Sequence, residues 1–319
     1  MLSYKYKDRY INRYDAIVGN NELEGNISKK IKTIDNFYYG EKTFEQSQIK
    51  MQKEIINNLL TDKTKLIVGG DLSNQISLTS YALCEKNISF LGIYSACASF
   101  VEGLIIGEKY INDNTEVLVL TSNHNLVSER QFRFPIEYAN LRNVNSTFTS
   151  TCATGCVISN EKSNIKLVSS TIGRVINLNI SDPNLIGAIM APAAAEAIYE
   201  HLVNNSESLD DYDLILTGDL GNVGLLILKD YLKEEYNIVT NKIIDAGSNL
   251  YKKINEINDG ASGPATLPLY LFYNIIDGNK YKKILVVGTG SLHSRTIVNQ
   301  KLSIPSVAHV ISIEVMLWA

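Results

Sequence analysis

Leu66-Ile67-Val68-Gly69-Gly70-Asp71-Leu72-Ser73-Asn74 returns later in the chain as Leu214-Ile215-Leu216-Thr217-Gly218-Asp219-Leu220-Gly221-Asn222, identical at six of nine positions. Further matches follow in the same order. Val117-Leu118-Val119-Leu120, followed by Thr121-Ser122, is mirrored by Ile284-Leu285-Val286-Val287 followed by Gly288-Thr289. Cys156-Val157-Ile158-Ser159 is echoed by His309-Val310-Ile311-Ser312. A small-residue turn follows the first block of each half, Ser95–Ser99 in one and Ala261–Ala265 in the other. Each match is short, but their shared order predicts two copies of one βαβ-rich unit.

Working outward, Phe44, Ser47, Met51, Ile55 and Leu59 fall at helical spacing and predict a helix over 44–60. Strands are expected over 65–69, 88–94, 116–120, 214–216, 283–287 and 307–313, and helices over 77–86, 98–109, 191–202, 224–234 and up to Ile276. Residues 1–40 are polar with little periodicity. Alternating strands and helices predict sheets with helices on their faces. The expected fold is α/β, with two pseudo-symmetric halves, 1–170 and 171–319, in a layered α/β/α/β/α arrangement. Met190–Ala195 is small and apolar, which suits a close helix–helix contact.

A chain of 319 residues with 45% hydrophobic and 20% charged residues reads as globular. Its net charge of −4 carries no electrostatic footprint for nucleic acid. Met1–Tyr14 is polar and charged, unlike a signal peptide, and no apolar run reaches the ~20 residues that span a bilayer. The four cysteines, Cys84, Cys97, Cys152 and Cys156, suit a reducing compartment better than a disulfide frame. With only four histidines in the chain, no metal site or other cofactor is expected. The excursion from Ser122 to Asn145 is long, aromatic and charged, as functional or interface loops are.

Thr121-Ser122-Asn123-His124-Asn125, Glu129-Arg130-Gln131-Phe132-Arg133-Phe134-Pro135, Glu137-Tyr138, Met190–Ala195, Leu214–Leu220 and Ser303–His309 stand out as motifs. In them the chain resembles the thiolase-like superfamily and, more narrowly, the stage V sporulation protein AD family of spore-forming bacteria. The resemblance covers about 66–314; residues 1–40 match less well, and the start looks shorter than the family's. It implies binding of pyridine-2,6-dicarboxylate (dipicolinate), or its Ca2+ complex, in the cleft that corresponds to a thiolase active site. It further implies a role in moving that dianion into the forespore and releasing it on germination. The setting would be the cytoplasmic face of the spore inner membrane, beside membrane-channel subunits. Thiolase-like folds commonly pair as homodimers through the region of the Ser122–Asn145 excursion, which leaves a homodimer open.

Cys97 stands where such folds place an acyl-accepting nucleophile, at a strand-to-helix turn where free N–H groups favour an anion. Three roles stay open for it: cleft wall, inert core or nucleophile. A condensing enzyme also needs bases beside the thiol. The position of one falls on Asp219, and the Gly260–Ala265 turn, where the second belongs, offers neither His nor Asn. Non-catalytic binding is therefore expected, with acyl transfer through Cys97 as the rival and a pure scaffold as a third reading. The candidate ligand contacts are Cys97, His124, Arg130, Arg133, Asp219 and Ser262. Arg130 and Arg133 offer guanidinium forks for carboxylate, one turned inward and the other pairing with Glu129 or Glu137. Phe132 and Phe134 suit either ring stacking or loop packing. A bare Asp219 would repel a dianion, by about 4 kcal/mol at ~4 Å and a dielectric of ~20. Because Asp71 repeats it, the alternative is a structural cap. Ser262 and the amides of 260–263 would cradle an anion, although Pro264 removes one donor. His201 is expected on a surface helix.

Overall fold

The structure is a computed structural model that describes residues 1–28, 30–133, 143, 145–252 and 259–316. Ten strands form two successive sets of five, the second starting at Ile165. In the first are β1 (Tyr10–Val18), β2 (Thr64–Asp71), β3 (Ser89–Gly92), β4 (Glu116–Asn123) and β5 (Cys152–Ser159). In the second are β6 (Ile165–Ile172), β7 (Leu214–Thr217), β8 (Ile243–Asp245), β9 (Lys283–Ser291) and β10 (Ser306–Val315). The order of the first half-sheet is β1-β5-β4-β2-β3, and of the second β6-β10-β9-β7-β8. Directions repeat as well. In each half the second strand runs parallel to the third and fourth, and the fifth runs antiparallel to the fourth and the first. The echoed sequence blocks thus occupy equivalent strands, β2 with β7, β4 with β9, and β5 with β10. One narrow seam, Tyr10 opposite Lys166 and Ile11 opposite Ile165, joins the half-sheets.

Side-chain alternation along the strands sets the layers, because successive residues face opposite sides of a sheet. Ile67, Leu118, Leu120 and Val157 pack with Met51, Ile55, Ile56 and Leu59 of helix α1 (Phe44–Leu59). Their neighbours Val68, Val117, Val119 and Ile158 turn the other way, into a central core. There they meet α3 (Ser99–Gly107) and α6 (Thr266–Tyr270, which widens into a π-turn over Leu271–Ile276). Leu214, Leu216, Ile284 and Val286 enter the same core from the second half-sheet. Ile215, Leu285, Val287 and Val310 face outward, onto α4 (Ile186–Asn205) and α5 (Gly221–Tyr236). Phe100 of α3 meets Phe272 edge-on, with ring centroids 6.0 Å apart, so the two halves share the middle layer. This is the expected α/β/α/β/α order; α2 (Ser77–Leu83) packs beside α1.

Strands β1, β5, β6 and β8 are not among those expected, and α4 and His201 also depart from the sequence reading. β1 lies in the supposedly patternless start, because only its ends are buried and its centre, Asn12–Asp15, is half-exposed and polar. Helix α4 begins at Ile186, not 191, and runs through Pro192, a residue that reads more naturally as a first-turn position. His201 is fully buried on α4 rather than on a surface. Its ring bonds Thr171 Oγ1 at 2.8 Å and Tyr212 Oη at 3.2 Å, and burial pulls its pKa down to about 4.

The close helix contact exists, with Met190–Ala195 buried, but the backbones come closest at Gly187, packed against Leu220 and Gly224. A Cβ on Gly224 would lie 2.7 Å from the Gly187 carbonyl carbon and oxygen. Gly224→Ala should therefore lower stability by about 1–3 kcal/mol, since neither backbone can yield without opening the helix pair. Urea denaturation reads this; an unchanged midpoint would show that α4 and α5 are free to separate.

Candidate functional site

The strands and helices of both halves converge on the turn that starts α3. Ala96 sits at φ +49°, a left-handed conformation costly for a residue with a side chain, directly before Cys97. The turn is held by the Ser99 hydroxyl, which donates to Ala96 O at 2.8 Å and accepts from the Ser95 amide at 3.0 Å. β9 presses on it from the second half: a Cβ on Gly290 would meet Ser95 O at 2.3 Å. Cys97 is thereby fixed, 8% exposed, at the floor of a cleft.

Asp219 lies behind it, 1% exposed. Its carboxylate accepts from Thr289 Oγ1 at 2.9 Å, from the Gly263 amide at 3.2 Å and from the Cys97 thiol. Burial, then the charge and hydrogen bond of Asp219, push the thiol well above its usual range. Burial, together with nearby Asp245, pushes Asp219 up to about 7 against the donors that hold it. Asp71, its repeat counterpart, is a cap: it accepts from Ser73 N (2.6 Å), Thr79 N (2.8 Å) and Thr79 Oγ1 (2.6 Å). In the second half that work passes to Asp245, which accepts from Leu220 N and Gly221 N, and to Asp259, which accepts from Val223 N. Asp219 is thus released from capping and faces the Cys97 thiol.

The turn at Gly263 is locked to the other half by Asn123. The Asn123 amide accepts from Ala265 N (2.8 Å) and donates to Ser150 O (2.6 Å) and Ser150 Oγ (2.8 Å). Gly263 has φ +123°, and a Cβ there would sit 2.5 Å from the Asn123 side chain.

Cys97, Arg133 and Ser262 line an inner cavity of about 60 Å³, with Ser128, Thr149 and Ser291 also in its wall. It opens past Tyr94, Phe132 and His293 into an outer chamber of about 650 Å³ between the 73–76 turn and residues 292–299. Arg133 is the inward guanidinium, 14% exposed; it pairs with Glu129 at 3.5 Å and donates to Thr147 O at 2.5 Å. Phe132 packs on His293, with ring centroids 5.4 Å apart. Burial and the charge of Arg133 bring His293 down to about 4.

Two expected contacts lie elsewhere. Arg130 points to solvent, where it pairs with Glu45 at 3.1 Å and covers Phe44. His124 is wedged between Phe37 and Phe44, its Nε2 2.8 Å from Phe37 O, and burial lowers its pKa to about 4. Its ring is committed to that seat and does not line the cleft. Phe134, Glu137 and Tyr138 fall outside the described residues. The sequence reading missed Asn123, Thr289, Ser291 and His293 as site residues. The signal was present, since extending the Val117–Leu120/Ile284–Val287 echo to its strand ends reaches all but His293.

The same arrangement of layers occurs in 3-oxoacyl-[acyl-carrier-protein] synthase III of Aquifex aeolicus VF5 (TM-score 0.57, 17% identity, covering 96% of this chain and 99% of that one). It also occurs in a point variant of OleA from Xanthomonas campestris (TM-score 0.60, 12% identity, 98% and 99%). An acetyl-CoA acetyltransferase of Syntrophomonas wolfei is a third example (TM-score 0.56, 12% identity, 95% and 98%). These likenesses define a thiolase-like fold. The sequence goes further: the family model for Stage V sporulation protein AD matches residues 3–314. Stage V sporulation protein AD of Bacillus subtilis (strain 168) is 34% identical over 318 residues, 96% of this chain and 94% of that protein. The chain belongs to the stage V sporulation protein AD family, and its first forty residues, expected to match less well, lie almost wholly within the match.

Proposed function

We propose that this protein binds dipicolinate, alone or as its Ca2+ complex, in the Cys97 cleft without performing acyl transfer. In this reading it serves uptake of the dianion into the forespore and its release on germination, as a partner of membrane-channel subunits at the spore inner membrane. Family membership supports the sporulation setting. Among the described residues no helix is long and apolar enough to cross a membrane, so channel subunits would supply the passage.

The observation that carries the reading is the company Cys97 keeps. A nucleophilic thiol needs a neighbour that takes its proton and favours the thiolate. Here burial, and after it the charge of the Asp219 carboxylate, disfavour the thiolate. The same cavity presents the Arg133 guanidinium, which matches a carboxylate, and Phe132 and Tyr94 at its mouth offer faces to a flat ring.

Calorimetric titration with dipicolinate, with and without Ca2+, tests this. Arg133→Ala should weaken binding about tenfold or more, whereas Arg130→Ala, outside the cleft, should match the wild type. Absence of saturable binding at millimolar ligand would sink the reading. In the same preparation, incubation with acetyl-CoA should leave the intact mass unchanged. A stable adduct lost in Cys97→Ala would instead establish the acyl-transfer rival.

A further inference from the structure

The inner cavity has more polar wall than Arg133 and Cys97 account for. Ser128, Thr149, Ser262 and Ser291 reach it from four separate segments of chain, and each is buried. Ser291 is the last residue of β9 and is 7% exposed; its Oγ is buried with no hydrogen-bond partner among the described residues. The strand holds it firmly, because Ser291 pairs with Ser306 of β10 and the preceding Gly290 is pressed against the Cys97 turn. A buried hydroxyl without a partner is a cost to the folded chain unless something else meets it. A serine hydroxyl turns about a single χ1 among staggered rotamers and so reorients towards an arriving acceptor.

Size limits what can enter. The inner cavity, about 60 Å³, is about a tenth of the outer chamber's 650 Å³, so the narrower space suits a carboxylate and the wider one a ring. A ring would sit in the outer chamber, beside Tyr94, Phe132 and His293. A carboxylate is an acceptor only, and serine hydroxyls are donors that reorient to suit it.

We propose that Ser291, together with Ser262, is the hydrogen-bonding receptor for one carboxylate of the ligand, inserted past Phe132 into the inner cavity while the ring stays in the outer chamber. This rests on the binding function proposed above and makes Ser291 a specificity-determining residue of that site.

The test is Ser291→Ala, read by two independent measurements, ligand affinity and the stability of the free protein. Dipicolinate titrated into the variant should bind roughly 10- to 100-fold more weakly than to wild type, the loss expected for a hydrogen bond to a charged group. The unliganded variant should melt no lower than wild type, because the hydroxyl removed has no partner in the free protein. Equal affinity in variant and wild type would overturn the role of Ser291 and leave the binding function standing. A lower melting temperature in the free variant would overturn it too, by showing the hydroxyl to be structural. Wild-type protein that binds no dipicolinate would overturn the binding function, and this inference with it.

Discussion

Gly263→Ala is expected to destabilise the protein by about 3 kcal/mol or more and to abolish ligand binding at the Cys97 cleft. Two costs combine. The backbone at φ +123° lies in a region essentially reserved for glycine, worth roughly 1–3 kcal/mol of strain for alanine. The new Cβ would also land 2.5 Å from Asn123 Cγ and 2.6 Å from its Oδ1, an overlap of the kind that costs about 1–3 kcal/mol in a packed interior. Asn123 cannot step aside cheaply, because its amide ties Ala265 of the second half to Ser150 of the first. Moving the turn instead would break the Gly263 amide's bond to Asp219 and shift Ser262 in the cavity wall. Chemical denaturation and dipicolinate titration read the two effects separately. A variant within about 1 kcal/mol of wild type that still binds would show that the junction of the halves at Asn123 is soft.

Much of this architecture is legible in the chain because the repeat preserves what a strand buried on both faces requires. Leu66–Val68 and Leu214–Leu216 are continuous apolar runs, and the glycines, aspartates and leucines that end them recur with them. β1 is hidden because its middle is half-exposed, so neither alternation nor a continuous run marks it. The site is legible in part. Residue type and place in the repeat point to Cys97, Arg133, Ser262 and the carboxylate at Asp219. Arg130 and His124 mislead, because a guanidinium or imidazole near a cleft says nothing about which way its loop turns. Phe44 decides both, covering Arg130 on one side and stacking on His124 on the other. Asp219 misleads in another way. Its likeness to Asp71 suggests shared duty as a cap, yet the second half recruits Asp245 and Asp259 to the N-terminus of α5. A repeat reports equivalence of position; the hydrogen bonds at each copy settle its use.

That release of Asp219 has a measurable consequence in Asp219→Asn. In the folded protein the Asp219 carboxyl is raised from 3.8 to about 7, first by burial and then by Asp245. The folded state therefore favours the protonated form. The stability it contributes is full below about pH 4 and is lost as pH rises through about 7, amounting to about 4 kcal/mol between those limits. Asparagine is neutral throughout and keeps an oxygen for Thr289 or the Gly263 amide. The variant should thus match wild type only near pH 4, pull ahead steadily up to about pH 7 and level off above it, so that the gap widens by about 2.5 kcal/mol between pH 5 and pH 8. Urea denaturation at each pH measures it, and taking the difference between variant and wild type cancels most of the titration of Asp245 and Asp259. Curves that stay parallel from pH 5 to 8 would mean that Asp219 is ionised throughout. The thiol should respond as well. Without the Asp219 charge and hydrogen bond, Cys97 should alkylate faster at pH 8, though still slowly, since burial is the larger cause of its high pKa. The same titration bears on the ligand: a dianion arriving in front of Cys97 favours the neutral form of the carboxyl behind it. Wild-type affinity should then fall as pH rises through neutrality, while that of Asp219→Asn stays flat.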